Sequence, residues 1–309
     1  MRSYRVPQPM ALPETVADAG LHEARQGSGE PLGQVLALSA DQVAEVLGLS
    51  QMEDIRFGEA AIRLGHASSD RVMAALSRQF DYPCVLDGQP GASMELVVLS
   101  RPQSPQAEAI RALRSQVLRR TASPANGPRT LAVISPDAGD GKSFLVANLA
   151  VALAQAGQRT LVVDADLRHP RQHEIFEVSN SAGLSSALLG LAEPQLVQAV
   201  GRVPGLYVLP VGACPPNPLE LVERPAFRRL LEKLAARFDH VVVDTPAAVY
   251  GTDAHVIAER CGAALMVARR DASRVANLQA LIEAVSAPST TLLGVVMNEF
   301  KGPFPRGLT

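Results

Sequence analysis

The chain has 309 residues, about twice the usual domain length, so two domains are expected rather than one. Its 29 Lys+Arg and 31 Asp+Glu nearly cancel, which excludes an overall basic field that would draw the protein to nucleic acid or anionic lipid. Cys84, Cys214 and Cys261 lie far apart with no metal-ligand spacing; packed thiols in a reducing compartment are expected, and no structural zinc. The first 20 residues lack the apolar core of a signal peptide, and apolar runs such as Thr160–Val163 and His240–Val243 are strand-sized. A cytoplasmic protein is expected, with any membrane association made through a partner.

Residues 1–27 mix Pro, Gly and polar residues without periodicity and read as a disordered tail. Residues 28–85 read as a small, mainly helical domain with an internal duplication. Ser39-x-Asp41-x-Val43-x-x-x-Leu47 recurs as Ser68-x-Asp70-x-Val72-x-x-x-Leu76, each copy a capped helix start with an apolar i, i+4 pair. A glycine precedes each copy, in Leu32-Gly33 and Phe57-Gly58. With Arg56, Phe57, Gly58, Gly65, Leu76 and Gln79, the second copy resembles the N-terminal domain of secretion and pilus-assembly ATPases. The resemblance implies a docking module or a cyclic di-GMP sensor. The first copy has Pro31 where the family has Arg, and two helices with apolar faces need no ligand to explain them.

Residues 86–106 are rich in breakers, Asp87-Gly88-Gln89-Pro90-Gly91 and Arg101-Pro102-Gln103-Ser104-Pro105, and read as a linker to a second domain over 107–309. That domain opens on an amphipathic helix. Glu108, Arg111 and Arg114 share one face, and Ile110, Leu113 and Val117 another. On the residues alone the charged face is a solvated surface.

The run Thr130-Leu-Ala-Val-Ile-Ser-Pro feeds Asp137-Ala138-Gly139-Asp140-Gly141-Lys142-Ser143-Phe144 and an Ala-rich stretch: strand, glycine-containing loop, helix. Amides of such a loop point inward at a helix N-terminus and cradle phosphate; Lys142 supplies a positive charge for the β and γ oxygens, and the Ser143 hydroxyl a Mg²⁺ ligand. Pro136 stands where the strict P-loop pattern has its first glycine. Gly157 stops the helix, and Arg159-Thr-Leu-Val-Val-Asp164-Ala-Asp166 reads as a second strand ending in two carboxylates. Phe238-Asp-His-Val-Val-Val-Asp244-Thr-Pro is a third, with Asp244 in the position of a Walker B metal partner. Acids at strand C-terminal ends, where open parallel sheets bind ligands, have no packing explanation.

The order Glu-x-x-Arg-x-x-Arg, Gly-Lys-Ser, Val-Asp-Ala-Asp-Leu-Arg-x-Pro and Val-Val-Asp-Thr-Pro resembles the bacterial tyrosine kinases of exopolysaccharide export, over about 107–300. Leu209-Pro-Val-Gly212, Pro216-Asn217-Pro218-Leu219-Glu220-Leu221 and Leu293-Gly-Val-Val-Met-Asn298 extend the likeness. The resemblance implies an α/β P-loop NTPase fold, a mostly parallel sheet flanked by helices, acting on ATP with Mg²⁺. Asp164 would take the tyrosine proton, with Asp166 assisting at metal and substrate; Ser143 and Asp244 would serve the metal, and Asn298 would meet the base. Glu108, Arg111 and Arg114 would join subunits into a ring, and a transmembrane chain-length determinant would activate the kinase from the inner membrane. Asp137 stands where partitioning ATPases carry their signature lysine, which favours the kinase over a positioning ATPase.

These kinases end in a tyrosine cluster, whereas here the tyrosines are Tyr4, Tyr82, Tyr207 and Tyr250. Tyr207 reads as core and Tyr4 as the only one easily presented. An acceptor on another protein, or a non-kinase ATPase that switches assembly, is the alternative reading.

Overall fold

The structure is a computed structural model that describes residues 32–68, 71, 72, 75, 93–121, 129–190, 196–286 and 290–299. The expected tail 1–27, Leu76, Gln79, Tyr4, Tyr82, Cys84, the first breaker cluster and the chain from 300 onward lie outside the described residues.

The N-terminal helices are α1 (Leu32–Val35), α2 (Ala40–Glu53) and α3 (Phe57–Arg63). Ser39 caps α2 reciprocally: its hydroxyl accepts the Gln42 amide at 3.3 Å, and the Gln42 side chain accepts the Ser39 amide at 2.9 Å. Ser68 repeats the first half of the device, its hydroxyl accepting the Arg71 amide at 3.3 Å. The duplication extends to packing. A Cβ on Gly33 would lie 3.0 Å from a Val43 methyl, and one on Gly58 2.7 Å from a Val72 methyl. Each glycine therefore lets its short helix rest directly on the valine of the following capped helix. The expected Val43/Leu47 pair is corrected, however: Leu47 is 46% exposed, and Val46, one position earlier, is buried. Leu36, Val46, Ala60, Ala61, Ala67, Val72 and Ala75 form a core of their own.

The linker reading fails at its far end. Leu96–Leu99 are buried, and α4 (Val97–Ser100) docks on the helix Lys142–Gln155 of the sheet domain. Asn148 of that helix fastens it, accepting the Val98 amide at 3.2 Å and donating to the Glu95 carbonyl at 2.8 Å. The breakers at 101–105 only turn the chain into α5 (Pro105–Thr121), while the apolar run before them has a surface to cover.

The sheet domain continues in the order β1 (Thr130–Ile134), α6 (Lys142–Gln155), β2 (Thr160–Asp164), α7 (Gln172–Phe176), α8 (Leu184–Leu188), β3 (Gln198–Ala199), β4 (Leu206–Leu209), α9 (Pro218–Glu223), α10 (Pro225–Ala235), β5 (His240–Asp244), α11 (Asp253–Cys261), β6 (Ala263–Arg269), α12 (Val275–Val285) and β7 (Thr291–Asn298). Spatially the strands run β3-β4-β2-β5-β1-β6-β7; all neighbours pair in parallel except β3 with β4.

Alternate residues of each central strand enter opposite cores. Leu131, Val133, Val162 and Val242 face the helices α5 and α6; Ala132, Ile134, Leu161, Val163, Val241 and Val243 face α10, α11 and α12. Burial on both faces explains why these strands read as unbroken apolar runs. The expected burial of Ile110 and Val117 on α5 holds. Cys261 is packed as expected, but Cys214 is exposed. Among the described residues no helix is long and apolar enough to cross a membrane.

Candidate functional site

The strand order places β5 between β1 and β2, so the three acid-bearing or loop-bearing strand ends converge. Asp164 and Asp244 are direct neighbours in register, and Val133 of β1 pairs with Asp244 on the other side. The glycine loop after β1 lies above them, at the carboxyl edge where the topology switches direction.

The loop is braced by its own side chains. The buried Asp140 carboxylate accepts the Asp137 amide at 3.1 Å and the Ser273 hydroxyl at 3.0 Å, so this candidate nucleotide residue turns its acid inward, away from an anion. Gly141 has φ 95°, and a Cβ there would come within 2.1 Å of the Asn298 amide nitrogen. Only glycine meets both conditions. Asn298, expected at the base, here donates to the Asp140 carbonyl at 2.8 Å and so ties the end of β7 to the loop. Lys142 is buried, and its ammonium donates to the Ser135 hydroxyl at 3.1 Å. Ala138 and Gly139 are exposed at the loop's outer turn. The Phe144 side chain packs on the core, leaving only its backbone N–H at the helix start to serve a phosphate.

The carboxylates divide by environment. Asp164 is buried and accepts the amides of Asp166 (3.2 Å), Arg171 (3.1 Å) and Gln172 (2.9 Å). Burial pushes it well above the usual carboxylate range, the Asp244 charge adds to that, and the Gln172 amide opposes it. Burial also raises Asp244, against the Gln172 side chain, the Ser143 hydroxyl and the Lys142 charge. Asp244 Oδ2 accepts from Gln172 Nε2 at 2.7 Å, whereas Oδ1 is buried without a partner among the described residues. Asp166 accepts the amides of Arg168 at 3.1 Å and His169 at 2.8 Å.

Lys142, Ser143, Asp164, Asp166 and Asp244 thus come together as the sequence pattern implied. Gln172 was missed. Its amide group donates both to Asp244 and, at 3.1 Å, to the Ser143 carbonyl, while its backbone N–H serves Asp164. No spacing rule marks a glutamine eight residues beyond a strand end; only the buried register shows it. Arg168 pairs its guanidinium with the buried Asp253 at 3.0 and 3.2 Å, and only its backbone reaches Asp166.

Glu108, Arg111 and Arg114 lie on α5, apart from the loop. Arg111 pairs with Glu108 at 2.9 Å and donates to the Pro102 carbonyl. Arg114 folds back onto the Ala152 carbonyl of α6 at 3.3 Å. Tyr207, expected in the core, is only half-buried at its margin, edge-on against Phe238. The expectation that Tyr4 alone is presented is corrected by Tyr250, which is 43% exposed in a 3-10 turn (Ala248–Tyr250) beside the site.

Comparison with known proteins matches residues 131–306 to the CobQ/CobB/MinD/ParA nucleotide binding domain. The chain is 34% identical over 207 residues to the putative tyrosine-protein kinase CapB of Staphylococcus aureus, covering 66% of this chain and 89% of that protein. It is 32% identical over 194 residues to the tyrosine-protein kinase ptk of Acinetobacter johnsonii, covering 63% of this chain but only 26% of that longer protein. Among solved structures, the kinase domain of Escherichia coli tyrosine kinase ETK superposes with a TM-score of 0.63 at 29% identity, covering 72% of this chain and 89% of that one.

Proposed function

The chain belongs to the CobQ/CobB/MinD/ParA nucleotide-binding family and, within it, to the bacterial tyrosine kinases, and on that premise we propose that it is an ATP-dependent protein-tyrosine kinase of exopolysaccharide production and export. The observation that carries this reading is the convergence of Asp164, Asp166 and Asp244 beneath a glycine loop that ends in Lys142 and Ser143. Loop amides and Lys142 hold the phosphates, and a buried carboxylate lifted in basicity, Asp164, receives the proton of the incoming tyrosine hydroxyl. Asp166 helps to orient substrate and metal.

The residues present fit a divalent cation. The orphaned Asp244 Oδ1 and the adjacent Ser143 hydroxyl are hard oxygen donors of the kind Mg²⁺ takes through water and directly, and nucleotide phosphates complete such a shell. When bound, Mg²⁺ neutralises charge on the transferring phosphoryl group.

In this reading residues 28–85 form a separate docking domain, and 107–309, with α4 docked against it, form the kinase. Glu108, Arg111 and Arg114 meet a second copy in a ring, and a membrane-spanning chain-length determinant recruits the otherwise cytoplasmic protein to the inner membrane. The test is incubation with Mg-ATP, with and without the activator's cytoplasmic segment, scoring phosphotyrosine and free phosphate. Phosphotyrosine abolished by Lys142→Met and strongly reduced by Asp164→Asn is expected. Free phosphate without phosphotyrosine under both conditions would replace the kinase with an ATPase that switches assembly.

A further inference from the structure

The kinase reading leaves open which tyrosine receives the phosphoryl group, and among the described residues the structure singles out one. The chain has four tyrosines. Of the two in the described residues, Tyr207 lies on β4, half-buried, with its ring edge-on against the buried Phe238. Tyr250 is 43% exposed, in a turn whose backbone is tied to the phosphate loop.

It stands at the mouth of the site. β5 ends at Asp244, and six residues later the chain reaches Tyr250 through a turn tied to the glycine loop: the Ala248 amide donates to the Ser135 carbonyl and the Val249 amide to the Pro136 carbonyl, both at 2.9 Å. Its ring rests on His169, centroids 4.9 Å apart, and the His169 amide is bonded to the Asp166 carboxylate. The ring therefore packs on the segment that follows β2, while its own turn, following β5, is tied by its backbone to the phosphate loop. Val249 beside it is 64% exposed, so the turn is an uncovered apolar lip rather than a buried joint.

We propose that Tyr250 is a phosphate acceptor of this protein, an inference that rests on the kinase reading above. In the transfer, the phenolic oxygen of Tyr250 forms a bond to the γ-phosphorus of ATP, and the bond from that phosphorus to the β–γ bridging oxygen breaks. ADP leaves with that electron pair. The phenolic proton passes to Asp164 and from there to water. Transfer within a protomer and transfer to the Tyr250 of a neighbouring copy use the same chemistry. The product places a phosphate dianion on the lip of the site, beside the His169 ring.

The experiment incubates the full chain with Mg-ATP in the presence of a glutamate–tyrosine copolymer, then maps phosphotyrosine by peptide mass spectrometry and counts label in the copolymer. Phosphate on the Tyr250 peptide is expected, absent in Lys142→Met. Tyr250→Phe, which keeps the ring on His169 and so preserves the fold, is expected to remove most self-incorporated phosphotyrosine. Labelled copolymer with an unmodified Tyr250 peptide overturns this proposal and leaves the kinase standing. An unlabelled copolymer and an unmodified chain overturn both.

Discussion

Gln172 and Asp244 show how a single buried contact sets the chemistry of the site. The glutamine offers the only described side-chain amide to a carboxylate that is otherwise cut off from water, and the hydrogen bond is short because its acceptor carries charge. Gln172→Leu keeps the volume and removes the donors to Asp244 and to the Ser143 carbonyl. Denaturant unfolding of the sheet domain should then register a loss of about 1–3 kcal/mol, since a buried acceptor loses its partner. Nucleotide affinity should fall with it. Unchanged stability would mean that water replaces the amide without cost.

The two buried acids also fix a pH dependence. In the folded chain Asp164 and Asp244 both hold their protons to higher pH than in the unfolded chain, where they titrate near about 3.9. Between that value and the raised folded values the folded state binds more protons, so stability falls as pH rises across this window and then levels off. Asp244→Asn removes one of the two charges, and its amide keeps an oxygen for Gln172. Thermal unfolding without nucleotide should therefore show a higher midpoint for this variant at pH 7 than for wild type, with a smaller gap at pH 4. The stabilisation that Mg-nucleotide gives the wild type should be lost. A midpoint below wild type at pH 7 would refute burial of a costly charge.

At the scale of elements, the two glycine–valine contacts explain why the N-terminal duplication is real although its sequence signal is weak. Gly58 and Val72 come closer than Gly33 and Val43, so the second contact is the tighter. Gly58→Ala should destabilise the helical unit by about 1–3 kcal/mol through overpacking, and Val72→Ala in the same chain should recover part of the loss. Gly48, in the interior of α2 with open space around it, gives the opposite sign: Gly48→Ala should stabilise by ~1 kcal/mol through helix propensity alone. Circular dichroism melts of the three variants decide the point. Equal effects at Gly48 and Gly58 would remove the packing argument. The α4 segment makes a related point in the other domain, since four apolar residues next to breakers behave as an element once Asn148 supplies their hydrogen bonds.

For the whole molecule, the core formed among the described residues by Leu36, Val46, Ala60 and their neighbours shares no residue with the two cores that flank the sheet. It is also far smaller, so less apolar surface holds it together. Two unfolding steps follow, the helical unit first. Calorimetry should show Gly58→Ala lowering only the first transition and Gln172→Leu only the second; one coincident transition moved by both variants would mean that the cores unfold as one.

Much of this protein was legible from the chain alone, and the reason is that those features are local. A β-branched run, a glycine turn and an Ala-rich helix adjoin one another, so the phosphate loop and Lys142 could be read directly, and the acids Asp164 and Asp244 sit at the last residue of their own strands. Capping at Ser39 and Ser68 is equally short-range. Tertiary structure decided what depends on strand order. Because β5 pairs between β1 and β2, Asp164 and Asp244 become neighbours, Gln172 is drawn in to bridge from one to the other, and the turn after β5 carries Tyr250 to the His169 ring. No periodicity encodes that order. It follows from how two apolar faces of one sheet are covered by helices at once, a condition that only the assembled chain satisfies.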